Sequence, residues 1–362
     1  MKGAIMQSQA RSLNFIGEAF YIGIDIHKKR WVVSIRCNKT ELKTFSMDPD
    51  PEQLNQYMRR NYPGGTYVSA YEAGYFGFWI HRKLVQFGFR SIVFHAADIP
   101  TSHKEKVTKT DFIDSRKIAR ELENRSLKGI YIPDEFHQQL RSLCRLRDRH
   151  VRHQTRLKNR IKGHLSIYGI HIPEGMQYSN WSVRFITWLR GLEFSHGSAG
   201  DYLTICLDEY AENRKRIARI TTLLRGYIKA TGLSDLIKNL CTIPGVAFVT
   251  AITFYTEIMD MNRFADEDHF CSYVGLVPSL HNSGEKESDR GMTKRRNSFL
   301  RHLIVEASWV AIRKDPAMLL FFNDYCKRMK KQDAIIRIAK KLLRRMRHIW
   351  KNEKEYVLAV VA

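Results

Sequence analysis

The chain is 362 residues long, more than one compact core usually organises, so two or three domains are expected. Its 44% hydrophobic content is that of a folded soluble protein, and no apolar run reaches transmembrane length, which excludes a membrane-spanning protein from the expectation. The formal net charge of +23 costs self-repulsion in a compact state and points to a polyanionic partner, with DNA or RNA first and an anionic membrane surface as the rival.

No signal-peptide core precedes a small-residue cleavage site, so the expected location is the cytoplasm, in association with nucleic acid. The six cysteines, Cys37, Cys144, Cys206, Cys241, Cys271 and Cys326, lie far apart and form no CxxC pair. They argue against a structural zinc site and fit a reducing compartment.

In chain order, the β-rich runs 21–26 and 31–35 flank His27-Lys28-Lys29-Arg30 and read as a hairpin, with a third strand over 41–47. Residues 51–61 have helical spacing, strands follow at 67–71 and 91–94 around a helix over 78–87, and a further helix runs from about 108 to 122. The order βββαβαβα is that of a mixed sheet with helices packed on it, taken here as a domain over 18–130.

After about residue 130 the texture changes. From 135 to 165 Arg141, Arg145, Arg149, Arg152, Arg156 and Arg160 recur every three or four residues beside a thinner apolar stripe. This is an amphipathic helix with one strongly basic side. A loop-like break around 169–175 leads to a second long helix over about 201–231, and the two suggest an antiparallel coiled-coil arm over 131–232. A third region, 233–362, opens with a turn at 243–246 feeding a helix through Phe254. It continues through 270–276 into a polar loop over 279–291, and ends in helices at about 297–312, 317–330 and 334–350.

Hydrolysis or transfer at a phosphodiester by divalent metal needs three or four carboxylates converging on one point, because hard cations prefer oxygen ligands. Asp25 lies in an apolar strand, where a charge is expensive unless paired or metal-bound, and Gly23 removes a side chain from the same face. Glu72 ends another strand, and Asp111 and Asp114 share a helix face one turn apart. Taken singly each has a plainer reading. Asp25 fits a turn former, Asp111 a capping box with Thr108, and Asp114 a complement to the helix dipole. The set, from first strand, fourth strand and helix, places all four at one sheet edge.

The stretches YIGIDIHKK, YEAG and TKTDFIDSRKIA resemble the RuvC-like DEDD domain of a class of insertion-sequence transposases that also includes the Piv-type DNA invertases. The resemblance implies a ribonuclease-H-like fold in which Asp25, Glu72, Asp111 and Asp114 hold Mg2+ or Mn2+. CTIPGVAFVTAITFYTEIMDMNRF, YVGLVPS and NSGEKESDRGMTKRRNSFLRHLIVEAS are similar to the mainly helical transposase domain that follows in the same class. That likeness assigns a nucleophilic serine to Ser283, beside Gly284, which would attack DNA and become a phosphoserine. It departs from the pattern at Glu285 and Arg296, where glycines are usual, and at Ala247 in the turn usually written GVG. Without the resemblance Ser283 is a loop serine with Ser279 and Ser288 as neighbours.

The expected activity is therefore DNA strand cleavage and rejoining. The resemblance implies a structured guide RNA, donor and target DNA as partners, and a homodimer or homotetramer. Candidate nucleic-acid contacts are Arg145, Arg149, Arg152, Arg156, Arg160, Lys294, Arg295, Arg296 and Arg301, each of which equally fits a solvated helix face. The competing expectations are a junction-resolving nuclease that uses water instead of serine, a site-specific invertase, and a non-catalytic nucleic-acid-binding protein.

Overall fold

The computed structural model describes residues 14–98, 110–176, 181–277, 282–283, 286–287 and 296–358. The chain divides into two compact units, Met1–Ile132 and Pro133–Ala362.

The first unit is built on β1 (Ala19–Ile26), β2 (Trp31–Cys37), β3 (Thr40–Met47), β4 (Thr66–Glu72) and β5 (Arg90–Phe94), in sheet order β3-β2-β1-β4-β5. β1 and β2 pair antiparallel, as do β2 and β3, whereas β1 is parallel to β4 and β4 to β5. Asn38 and Lys39 both take positive φ in the two-residue connection from β2 to β3, the backbone a tight hairpin turn requires.

Alternation decides the two faces. Phe20, Ile22 and Ile24 of β1 bury with Trp31, Val33 and Ile35 of β2, beneath Leu54 and Met58 of α1 (Pro51–Asn61) and Ile80 and Leu84 of α2 (Trp79–Gln86). The opposite face packs α3 (Asp111–Glu123) through Ile118 and Leu122, against Ala70 and Phe94. The α3 cap is Thr110, whose hydroxyl accepts from the Ile113 amide. The helix thus begins two to three residues later than the pattern suggested, and Thr108 lies outside the described residues.

Two long helices, α4 (Glu135–Ile167) and α6 (Gly197–Ala230), dominate the start of the second unit. They run antiparallel, since Arg147 contacts Thr221, His150 contacts Asn213 and His164 contacts the Ala199 carbonyl. Their outer ends share a small core with Trp181 and with α5 (Val183–Arg190). At the other end, Leu140 and Cys144 of α4 and Ile220, Leu224 and Ile228 of α6 join the larger core of the unit. That core is completed by α7 (Ser234–Cys241), α8 (Phe248–Ile258), α9 (Glu267–Val274), α10 (Ser298–Lys314), α11 (Pro316–Cys326) and α12 (Lys331–Asn352). α11 stops at Cys326, four residues short of the expected end, and α12 restarts at Lys331 after the basic run Lys327 to Lys330. Among the described residues no helix is long and apolar enough to cross a membrane.

Candidate metal centre

The acid edge of the first unit depends on Gly23. A Cβ there would lie 2.2 Å from the Ser115 carbonyl and 2.4 Å from the Ala119 amide, so α3 crosses β1 at a point where only a glycine fits. Gly23 pairs with Ala70 of β4, a second small residue under the same helix. This close approach sets the first turn of α3 over the carboxyl end of β1. The Thr110 cap leaves Asp111 and Asp114 in that first turn, where the helix dipole favours negative charge.

Asp25 follows two residues after Gly23 on the same face. His27 Nε2 lies 3.2 Å from Asp25 Oδ2 and 3.5 Å from Asp111 Oδ1, and Arg30 donates to Asp111 Oδ2 at 3.1 Å. One ligand atom each from Asp25, His27 and Asp111 falls within 4.8 Å of the others. Burial pushes the Asp25 carboxyl above the ordinary aspartate range. His27 opposes that shift through its charge and hydrogen bond, and Asp111 and Asp114 add to it. Glu72 is exposed at the end of β4, one register position beyond the Ile24–Tyr71 pair, beside Asp25 along the parallel ladder.

All four expected acids therefore belong to one sheet edge and one helix terminus, with Asp25 and Asp111 in closest association. His27 and Arg30 are additions. In sequence they read as polar turn residues of the β1–β2 hairpin, although the Asp-x-His spacing at a strand end does put Asp25 and His27 on one side. The donor set suits a hard divalent cation, with carboxylates supplying oxygen and the crowding of Asp25, Asp111 and Asp114 supplying negative charge in excess.

In the second unit Ser283 lies in a two-residue strand with Asn282, paired antiparallel to Lys286–Glu287. Ser279, Gly284, Glu285, Ser288, Lys294 and Arg295 lie outside the described residues. The basic stripe of α4 divides. Arg145 forms a two-pronged ion pair with the fully buried Glu257, at 2.7 and 2.8 Å, so its guanidinium is already committed within the unit. Arg152 pairs with Asp148 at 2.8 Å and Arg160 with Glu209 at 3.4 Å. Arg149 and Arg156 line an open groove with His150, His153, Glu209 and Arg216. Arg296 is exposed, while Arg301 is partly buried, with its guanidinium pulled down first by burial and then by Arg296.

A mixed sheet that presents acids from its first strand, its fourth strand and a helix N-terminus at one edge defines the class: a ribonuclease-H-like DEDD domain. Known transposase families match two parts of the chain. Residues 22–170 match the DEDD transposase domain of the IS110 group, and residues 237–323 match the family described as "Transposase IS116/IS110/IS902 family". The chain is thus similar to transposases of the IS116/IS110/IS902 family over both matched regions. It is 30% identical over 239 residues to the candidate transposase y4qE of Sinorhizobium fredii, over 66% of this chain and 57% of that protein. To y4rJ of the same organism, also named as a candidate transposase, it is 29% identical over 296 residues, 75% of this chain and 74% of that one. The transposase for insertion sequence element IS1111A of Coxiella burnetii is 27% identical over 210 residues, 58% of this chain and 56% of its own length. The chain thus spans little more than half of y4qE and of the IS1111A transposase.

Proposed function

We propose that this chain is a transposase that cuts DNA strands and rejoins them to new partners, with Asp25, Glu72, Asp111 and Asp114 holding Mg2+ or Mn2+. The observation that carries the reading is the convergence of Asp25 and Asp111 where Gly23 lets α3 touch β1. When bound, a divalent cation supplies charge neutralisation at the phosphodiester and eases loss of a proton from an attacking hydroxyl. Asp25 and Asp111 provide its anionic ligands, Asp114 and Glu72 complete them, and Arg30 and His27 hold the Asp111 and Asp25 carboxylates in place.

Ser283 supplies the nucleophile. Its Oγ forms a bond to phosphorus, one P–O bond of the DNA breaks, and the leaving hydroxyl takes up a proton. The strand remains attached as a phosphoserine diester. A hydroxyl from a second DNA segment reverses these events and restores the serine. A structured RNA that selects the DNA, and assembly as a dimer or tetramer through the α4–α6 pair, belong to the same reading. Arg149, Arg156, Lys294, Arg295, Arg296 and Arg301 are its phosphate contacts, whereas Arg145 has a structural partner. The domain limits that go with this reading are 18–130, 131–232 and 233–362.

A covalent trap tests the proposal. Labelled DNA carrying the flanks of the gene, incubated with protein, Mg2+ and RNA transcribed from the same flanks, should become fixed to the protein. Ser283→Ala should remove that product. A Ser283→Ala protein that still cuts and releases free ends would establish a water-using nuclease instead.

A further inference from the structure

Glu257 is fully buried near the end of α8, yet it is a carboxylate with no use in the chemistry above. Burying such a charge is tolerated only when donors surround it. Two side chains supply them, and a third residue bonds the Glu257 backbone. Arg145 of α4 donates Nε and Nη2 to its two oxygens, and Asn297 donates Nδ2 to Oε2 at 2.7 Å. Tyr273 of α9 donates its hydroxyl to the Glu257 backbone carbonyl at 3.1 Å.

Tyr273 and Asn297 are also joined to each other, since the Asn297 amide donates to the Tyr273 carbonyl at 3.0 Å. They stand just before and just after residues 278–295, the stretch of chain that contains Ser283. Next to this link, Gly275 takes φ +82° and ends α9, and a Cβ there would lie 2.5 Å from the Arg296 Cβ. Both ends of the serine-bearing stretch are thus brought together at Glu257, one on its backbone carbonyl through Tyr273 and the other on its carboxylate through Asn297, and Arg145 ties that carboxylate to the basic helix α4. Asn297 has two separable duties: its Oδ1 caps α10 by accepting from the Leu300 amide, and its Nδ2 reaches Glu257.

We propose that Glu257, through Asn297 and Tyr273, is the positioning residue for the serine-bearing stretch, and that Asn297 transmits its hold. The inference rests on Ser283 as the nucleophile. A nucleophile displaced by about 1 Å loses on the order of 100-fold in rate, whereas binding to DNA phosphates made elsewhere is unaffected.

The test uses the full chain with the labelled DNA and RNA described above. Asn297→Ser keeps a good helix cap and removes the bond to Glu257. Its adduct formation at saturating DNA, where weaker binding no longer limits the rate, should slow about 30- to 100-fold, with the protein still folded although less stable by the lost hydrogen bond to a buried carboxylate. Glu257→Gln retains an oxygen that accepts from Asn297, so it should react faster than Asn297→Ser while being the less stable protein. Asn297→Asp caps α10 equally well but sets a carboxylate against Glu257, and should be as slow as Asn297→Ser. If either folded Asn297 variant forms the adduct at the parental rate while Ser283→Ala forms none, the positioning role is wrong and the nucleophile stands. If Ser283→Ala still forms the adduct, both fail.

Discussion

Asp25 and Glu257 are both carboxylates drawn out of water beside an arginine-bearing element, and they are solved in opposite ways. Glu257 is wholly buried, and Arg145 and Asn297 engage both of its oxygens. Asp25 remains 21% exposed and is bonded by His27, while Asp111 and Asp114 oppose its ionisation. A satisfied buried charge stabilises the native arrangement it belongs to. A crowded, half-satisfied one at a sheet edge costs stability and is kept for what it can hold.

Removing the charge should therefore have opposite effects at the two places. The largest is at the metal centre: Asp25→Asn or Asp111→Asn should lower strand cleavage by on the order of 100-fold or more, measured as adduct formed per unit time. Next, Arg145→Met leaves Glu257 buried without its main counter-charge and should cost about 3 kcal/mol in denaturant unfolding. Glu257→Gln, which leaves the half-exposed Arg145 free to be hydrated, should cost less. Gly23→Ala forces α3 off β1 and should destabilise the protein by about 1–3 kcal/mol, with loss of metal binding.

The smallest effect is the most discriminating. In the folded chain Asp25 holds its proton to higher pH than in the unfolded chain, so between the two pKa values the native state binds more protons. Stability from this group is then lost as pH rises upward from the ordinary aspartate range. Asp25→Asn should flatten that part of the pH profile and leave the metal-free protein slightly more stable at neutral pH. A less stable Asp25→Asn protein would mean that the His27 bond outweighs the desolvation, and the contrast with Glu257 would collapse.

Much of the first unit was legible in the sequence because alternation over 19–26, 31–37 and 66–72 leaves few ways to bury Phe20, Ile22, Ile24, Trp31 and Val33 together. The positions of Asp25 and Glu72 at strand ends and of Asp111 and Asp114 at a helix start were legible because residue type and element order agreed. His27 and Arg30 were hidden, since a polar hairpin turn looks the same whether or not its side chains reach back to a helix 81 residues away. Arg145 was read as one step of a basic stripe because its partner lies 112 residues further on, beyond what periodicity reports. The helices α5 and α7 escaped for another reason. Each has eight residues, too few turns to establish a repeat by itself, and neither is bracketed by two strands as the equally short α2 is.

Thermal unfolding of the full chain with and without millimolar Mn2+, for the parent and for Asp25→Asn, tests the metal centre without relying on any DNA substrate. A ligand that binds only the folded state raises its stability by mass action. Mn2+ should raise the melting temperature of the parent and leave Asp25→Asn unmoved. An equal rise in both proteins, or no rise in the parent, would contradict the assignment of the Asp25–Asp111 edge as the place where metal is held.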